Sequence, residues 1–144
     1  MNLSSQQQNE AALHAVDYWQ VIKNRYGIQL AGDLYLLVRQ TGLLRNAGGK
    51  SLEDLAISGP FGAVKEQSSG LYAQNMAERG FAALAFDPSY TGESGGEPRN
   101  VASPDINTED FSAAVDFLGL QKNIDSSRIG IIGIWGFGGM GLNA

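Results

Sequence analysis

The sequence predicts an α/β fold: a mainly parallel sheet with an initial antiparallel hairpin and helices on both faces. Three observations predict it. Apolar and polar residues alternate in two neighbouring segments, 18–24 and 28–37, as in a β-hairpin. From Gly59 onward, short apolar runs alternate with segments of helical periodicity. Many of the 19 glycines lie between these segments, where turns are expected. Strands that alternate with helices are joined by right-handed crossovers and therefore run parallel.

The chain divides into a polar amino-terminal segment, 1–16, and one α/β domain at 17–144. The segment is rich in Ser, Gln and Asn and then in Ala, and it contains no apolar stretch of the secretory kind. The hairpin that opens the domain turns at Tyr26-Gly27. A surface loop at 39–51 and a short third strand, Leu52–Ser58, come next.

Two helices are predicted in the second half of the domain. The first runs over Glu66–Arg79 and ends at Gly80, a residue that suits the position after a helix. The second is predicted over 107–120, because Asn107 offers a capping side chain and two acids follow it in the first turn. Its apolar face comprises Phe111, Ala114, Val115 and Leu118.

Two entirely apolar runs, Phe81–Phe86 and Ile129–Ile134, are typical of buried parallel strands. In such a sheet, ligands bind beyond the carboxyl ends of the strands. Three loops follow strands at that edge, at 58–66, 87–97 and 135–141. We therefore expect these loops to meet in space and to form the functional site.

Composition excludes several classes of function. The formal net charge of -5 argues against non-specific nucleic-acid binding, which depends on Lys and Arg. Without cysteine there is no disulfide, no thiolate metal site and no Cys nucleophile. No apolar run approaches the ~18 residues of a membrane span. We expect a cytoplasmic protein that binds no membrane, no metal and no cofactor.

Two kinds of chemistry occur at a glycine-rich turn between a buried strand and a helix, as at 130–141. One uses a nucleophile in the pattern Gly-x-Ser-x-Gly. The other binds a dinucleotide at Gly-x-Gly-x-x-Gly, which Gly136, Gly138 and Gly141 match. The expected position of that fingerprint is the first βα unit, whereas two such units precede it here. The acidic residue expected about 20 positions later is also absent from this sequence.

Loop sequences give the chain a resemblance to the α/β-hydrolases, of the dienelactone-hydrolase or Xaa-Pro-peptidase-like kind. Phe86-Asp-Pro-Ser-Tyr-Thr-Gly-Glu-Ser-Gly-Gly-Glu-Pro-Arg99 resembles the family's Asp-x-x-Gly-x-Gly-x-Ser-x-Gly loop. Ser58-Gly-Pro-Phe-Gly-Ala-Val-Lys-Glu-Gln67 resembles the loop after its third strand, and Arg128-Ile-Gly-Ile-Ile-Gly133 stands where its nucleophile-bearing strand would be. The resemblance covers the chain from about Tyr18 onward and implies hydrolysis of an ester or amide of a small molecule through an acyl-enzyme.

The resemblance also marks site positions, and two registers are open. In the better-fitting one, Trp135-Gly-Phe-Gly-Gly139, Phe137 takes the nucleophile position; in the other, Trp135 does. Neither side chain can attack a carbonyl group. Backbone N–H groups form the family's oxyanion hole, so Phe61 and Gly138 are candidate donors.

The family's acid and histidine come after the nucleophile, where this sequence has neither, and its single histidine is His14. We therefore expect an inactive or truncated copy of a hydrolase. The alternatives are a non-enzymatic interaction protein on the same fold and, less favoured, a dinucleotide-binding protein. The apolar last strand would be an open sheet edge, which predicts self-association.

Overall fold

The computed structural model describes residues 15–37, 52–122 and 124–144. The predicted loop at 39–51, most of the amino-terminal segment and His14 lie outside these residues. The strands of the described residues are β1 Ala15–Lys23, β2 Gln29–Leu37, β3 Leu52–Ser58, β4 Ala82–Phe86 and β5 Ile124–Gly133. Their helices are α1 Ser68–Glu78, α2 Pro104–Gly119 and α3 Phe137–Asn143.

The five strands form one sheet in the order β1-β2-β4-β3-β5. β1 and β2 are the predicted antiparallel hairpin, with Lys23 opposite Gln29. Gly27 closes the turn with φ 81°, a conformation that glycine adopts without strain. β2 is antiparallel to β4, whereas β3 runs parallel to both β4 and β5. The predicted α/β fold, mainly parallel after an antiparallel hairpin, is therefore confirmed.

Helices cover both faces of the sheet. α1 packs on one face through small side chains, and its buried residues are Ser69, Gly70, Ala73 and Ala77. The side chain of Leu71, on the opposite side of this helix, is exposed. α2 and α3 pack on the other face, where Phe86, Phe111 and Leu118 form the larger core.

Two element boundaries differ from the predictions for local reasons. α2 begins at Pro104 rather than near Asn107, because proline suits the first position of a helix. Asn107 therefore lies inside the helix, where its side-chain oxygen accepts a hydrogen bond from the N–H of Ser103 at 3.0 Å. β5 begins at Ile124, ahead of the predicted start at Ile129. The residues between are mostly polar and partly exposed, so the apolar run did not include them.

Candidate functional site

The three predicted loops meet at the carboxyl edge of β3, β4 and β5. The backbone N–H of Lys65, in the first loop, donates to Oδ1 of Asp87 at 2.7 Å. The rings of Phe61 and Phe137 lie 4.7 Å apart between centroids, which joins the first loop to the start of α3. The expectation that these loops meet in space is thus confirmed.

The turn between β5 and α3 has one backbone outlier. Trp135 has φ 57°, a left-handed conformation that is strained for a bulky side chain, and its side chain is 88% exposed. Two residues earlier, a Cβ atom at Gly133 would overlap the carbonyl oxygen of Phe137. Only glycine therefore allows the first turn of α3 to pass this close to β5.

Phe137, unlike the exposed Trp135, is buried. It is the first residue of α3 and only 1% exposed. Its ring is 4.7 Å from Phe61 and 6.1 Å from Phe111, both between centroids. Its side chain therefore fills the core beneath the turn. The two aromatic residues of the turn therefore differ: Phe137 is buried and Trp135 is exposed.

The backbone N–H groups of the turn differ in availability. The N–H of Gly138 donates to the carbonyl oxygen of Trp135 at 2.9 Å, and that of Phe137 donates to Ile134 at 3.3 Å. Those of Phe61 and Gly136 donate no hydrogen bond within the part of the chain that the structure describes. The Phe61 ring packs directly on Gly136, where a Cβ atom would overlap it.

A buried lysine joins the loops electrostatically. The Lys65 side chain is 1% exposed, and its ammonium contacts Glu66 and lies 2.7 Å from Oε2 of Glu93. It also lies 3.8 Å from a carboxylate oxygen of Asp87 and 3.9 Å from one of Asp33. Burial alone would lower the pKa of Lys65, but its hydrogen bonds to Glu66 and Glu93 raise it. Lys65 therefore stays charged.

Asp87 anchors both loops to the sheet. Besides Lys65, the N–H of Glu93 donates to it at 2.9 Å. Burial raises the pKa of Asp87, although these hydrogen bonds and the Lys65 charge oppose the shift. The Asp87 carboxylate thus bridges two separate loops. Glu93 and Arg99 also bind the loops: the Arg99 guanidinium donates to the Ser94 carbonyl at 2.6 Å.

Sequence reasoning missed a second buried network, around Asp110. Nδ2 of Asn24 donates to this carboxylate at 2.9 Å, and the hydroxyl of Ser89 donates to it at 2.7 Å. Burial raises the pKa of Asp110. The network ties the hairpin turn and the 87–99 loop to α2. The acid-rich start of that helix was visible in the sequence, but its partners come from distant segments.

Two buried serines near the loops bind backbone carbonyl groups. The hydroxyl of Ser69 donates to Gly59 at 2.8 Å, and that of Ser94 donates to Asp87 at 2.6 Å. Among the described residues, no cluster of His, Cys, Asp and Glu could hold a metal ion. None of the helices in the described ranges is both long and apolar enough to span a bilayer.

Glycines of the dinucleotide-like pattern have packing roles. A Cβ atom at Gly141 would come within 2.8 Å of the Ile131 side chain, so glycine there lets α3 lie close on β5. Gly138 uses its N–H within the turn. The strand order, with an antiparallel hairpin first, also differs from that of dinucleotide-binding folds. Nothing in the described residues favours the dinucleotide hypothesis.

Comparisons with known proteins give relatives much longer than this chain. Over 121 residues the chain is 70% identical to protein PA2218 of Pseudomonas aeruginosa, covering 84% of this chain and 31% of the relative. It is 46% identical over 95 residues to YcjY of Escherichia coli, covering 66% of this chain and 31% of that protein. It is 35% identical over 118 residues to the thiohydrolase aneE of Aspergillus aculeatus, covering 82% and 34%. No protein-family model matches.

Solved structures agree with the fold. The crystal structure of PA2218 has a TM-score of 0.82 at 60% identity, covering 100% of this chain and 40% of that one. The α/β hydrolase GrgF from Penicillium sp. sh18 has a TM-score of 0.78 at 22% identity, covering 90% and 41%. Both structures contain the described sheet as part of a larger molecule. The described part of this chain therefore has the α/β-hydrolase fold.

Proposed function

We propose that this chain carries the scaffold of a hydrolase that forms acyl-enzymes, with Trp135 at the position of the nucleophile. The observation that carries the proposal is the positive φ of Trp135 at the turn between β5 and α3. Hydrolases of this fold place the nucleophile on a strained strand–turn–helix elbow that exposes its side chain. Trp135 has that strain and that exposure.

The neighbouring glycines support the same register. An elbow requires small residues two positions before and two positions after the nucleophile. In the Trp135 register the later position is the bulky Phe137. The chain is crowded at the earlier position. Gly133 occupies this position relative to Trp135 and is crowded by Phe137. If Phe137 were the nucleophile position, the crowded residue would be Trp135, which is 88% exposed. The structural arguments therefore favour the second of the two registers.

The Trp135 register changes one of the proposed oxyanion donors. The residue after the nucleophile supplies one donor, and here that residue is Gly136, whose N–H has no acceptor among the described residues. We propose Phe61 and Gly136 as the donors. Gly138, the candidate from the sequence, already donates to Trp135.

The proposed substrates are small esters, thioesters or amides. Names of relatives support acyl chemistry: one is a thiohydrolase and another is the polyketide transferase claH of Penicillium crustosum, 31% identical over 118 residues. The resemblance to dienelactone hydrolases and Xaa-Pro peptidases rests on the loop sequences and stays a prediction. Because this sequence supplies neither nucleophile nor a histidine after the elbow, we propose that the chain by itself is inactive.

An alternative proposal is a non-enzymatic interaction protein on the same fold, since a fold does not determine function. The exposure of Trp135 favours it, because a large exposed aromatic side chain suits a contact surface. Assembly through the edge of β5 belongs to the same proposal.

Single-cysteine variants test the register, because the chain has no cysteine of its own. We expect p-nitrophenyl acetate to acylate Trp135→Cys at least ~10-fold faster than Leu142→Cys, after correction for thiolate fraction. One oxyanion donor is worth roughly 10²–10³ in rate. Leu142 is 92% exposed on α3 and is the matched control for access. Phe137→Cys should react slowest. Equal rates for the two exposed thiols would reject the register.

A further inference from the structure

β5 is an edge strand of the sheet and, within the described residues, has a strand neighbour only on the side of β3. The N–H of Ile134, just after β5, donates to the Ser58 carbonyl of β3 at 3.0 Å. Successive residues of a strand direct their backbone groups to alternate sides, so the N–H groups of Ile129, Ile131 and Gly133 point away from β3. These groups have no acceptor in the described part of the chain.

The free edge of β5 lacks the features that normally prevent strand pairing. Native sheets protect their edges with charged side chains, proline or bulges. Residues 129–133 contain no charge and no proline, and the register shift between β3 and β5 lies ahead of them. The opposite edge of the sheet, β1, ends in the exposed Lys23. An added strand therefore pairs more readily with β5 than with β1.

The placement of charge is compatible with a second copy of this chain as the added partner. Each copy has a net charge of -5, so two copies associate favourably only where their like charges stay apart. The uncharged residues 129–133 meet this condition. Before them on β5, Arg128 is already compensated, since its Nε lies 2.8 Å from a carboxylate oxygen of Asp125 and its guanidinium also contacts Glu53.

The glycines of β5 make the edge self-complementary in one antiparallel register. When Ile131 lies opposite the second copy's Ile131, Gly130 lies opposite Ile132, and Ile129 lies opposite Gly133. Each isoleucine beside the central pair then has a glycine across from it, which leaves room for its side chain. Residues that lie opposite each other also share a face, since Ile129 and Ile131 pack on the α2 side and Ile132 on the α1 side.

Neighbouring registers are less favourable. A pair centred on Gly130 places glycine opposite glycine and loses side-chain contact. A pair centred on Arg128 places two like charges directly opposite each other. A pair centred on Ile132 requires Trp135 to continue the strand, but its φ of 57° is not a strand conformation.

An exposed leucine lies close to the same point of β5. A Cβ atom at Gly141 of α3 would be 2.8 Å from the Ile131 side chain, so α3 passes directly beside the centre of the register. Leu142, the next residue of α3, is 92% exposed. Its burial between two copies would add apolar area to the pairing of the strands.

We propose that two copies of this chain pair antiparallel through β5, with the two-fold axis at Ile131, and join their sheets into one. The second copy supplies the acceptors for the N–H groups of Ile129, Ile131 and Gly133. The inference rests on the alternative proposed function, assembly through the edge of β5, and it names the partner and the register.

Hydrogen exchange of single amides in the unmodified chain provides the first test. Light scattering during size-exclusion chromatography gives the dissociation constant of the pair. In a sample diluted to monomer, Gly130 and Ile132 should exchange slowly, because their N–H groups bond to β3, and Ile129, Ile131 and Gly133 should exchange fast. At a free concentration of ~10 times the dissociation constant, these three should slow roughly 10-fold, and the alternation along β5 should disappear.

Single cysteines test the register, because the chain has none of its own. In Ile131→Cys the two Cα atoms lie about 5.5 Å apart, within reach of a disulfide. In Ile129→Cys they lie more than ~13 Å apart, beyond the limit of about 7 Å. The two isoleucines share a face and are both partly buried, so they are matched. Mild oxidation should link Ile131→Cys at least ~10-fold faster than Ile129→Cys.

The outcomes separate this proposal from the functions on which it depends. A monomer at every concentration, or association without slowed exchange along β5, would overturn both the pair and assembly through β5. Slowed exchange along β5 with equal oxidation of the two variants would overturn this register and leave assembly through β5 standing. The hydrolase scaffold is tested apart from both, because acylation of Trp135→Cys and Leu142→Cys is measured on the diluted monomer.

Discussion

Gly133 and Phe137 lie so close that the carbonyl oxygen of Phe137 occupies the space of a side chain at Gly133. The α carbon of Gly138 would also lie 2.8 Å from a Cβ atom there. The start of α3 can therefore pack against the end of β5 only because Gly133 has no side chain, and the turn between them cannot keep its shape with any other residue there.

Gly133→Ala should lower the free energy of unfolding by about 2 kcal/mol or more, because overpacking typically costs 1–3 kcal/mol. Gly139→Ala is the matched control: it lies in α3 with nothing near its Cβ position. There, alanine should add roughly 0.5–1 kcal/mol through helix propensity. Urea unfolding measures both changes, and similar effects of the two substitutions would argue against the close contact.

Removing the Lys65 ammonium should destabilise the fold. Lys65→Met leaves the buried carboxylate of Asp87 without its cation, and breaking a buried pair from one side costs about 3–5 kcal/mol. Lys65→Arg keeps the positive charge and should lower the free energy of unfolding by less than Lys65→Met does. The control is Lys122→Met on an exposed side chain. NMR titration gives a second measurement: Lys65 holds the pKa of Glu93 below its usual range, so that pKa should rise in Lys65→Met. An unchanged pKa of Glu93 would contradict the ion pair between Lys65 and Glu93.

The raised pKa of Asp54 predicts that the folded protein loses stability as the pH rises. Burial raises its pKa to about 8, and its Oδ2 has no hydrogen-bond partner within the described residues. The unfolded carboxyl titrates near pH 4. The contribution of the Asp54 carboxyl to the free energy of unfolding is therefore fully present below about pH 4, and it is lost as the pH rises toward 8. Asp54→Asn should remove this loss, an effect of about 2–5 kcal/mol at pH 8.

Asp125 is the control for Asp54, because its pKa is shifted in the opposite direction. Hydrogen bonds from Ser127 and then Arg128 lower the pKa of Asp125 to about 2. Its contribution is present above pH 4 and is lost as the pH falls toward 2, so Asp125→Asn should weaken the protein at neutral pH and not at pH 2. Denaturation curves at pH 4 and pH 8 separate the two variants. A parallel pH dependence of Asp54→Asn and the unmodified chain would refute the Asp54 prediction.

The 144-residue chain alone should neither turn over p-nitrophenyl acetate above the buffer rate nor react with a fluorophosphonate. Loss of triad members costs on the order of 10⁴–10⁶ in rate in serine proteases. We also expect it to elute as an oligomer in size-exclusion chromatography, because an apolar strand at a sheet edge pairs readily. Stoichiometric labelling of one serine would disprove the inactivity, and a monodisperse monomer would disprove self-association.

Sequence periodicity was enough to predict the five strands and two of the three helices of the described residues. The apolar run at β4 and the bounds of β3 agree with the structure, because burial of parallel strands and turns at glycine are local signals. The start of α2 was misplaced by three residues, since Asn107 resembles a cap only when the proline before it is ignored.

Long-range contacts decided what periodicity could not predict. The Lys65-Glu66 pair was visible within the resemblance, but its partners Asp33, Asp87 and Glu93 come from three other segments. The proposal of Trp135 rather than Phe137 likewise depends on backbone strain and burial, neither of which a glycine pattern reveals. Local patterns thus gave the elements, whereas the site required tertiary structure.

The strand order also has a consequence for synthesis on the ribosome. β3 lies between β4 and β5, so one of its edges pairs only after Ile124–Gly133 has emerged. At ~5–20 residues per second, synthesis from Ser58 to Gly133 takes about 4 to 15 seconds. During that interval the nascent chain carries β3, whose apolar residues Leu55, Ala56 and Ile57 follow two acids, with an unpaired edge. A chaperone that binds short extended apolar segments would find its target there, in β3.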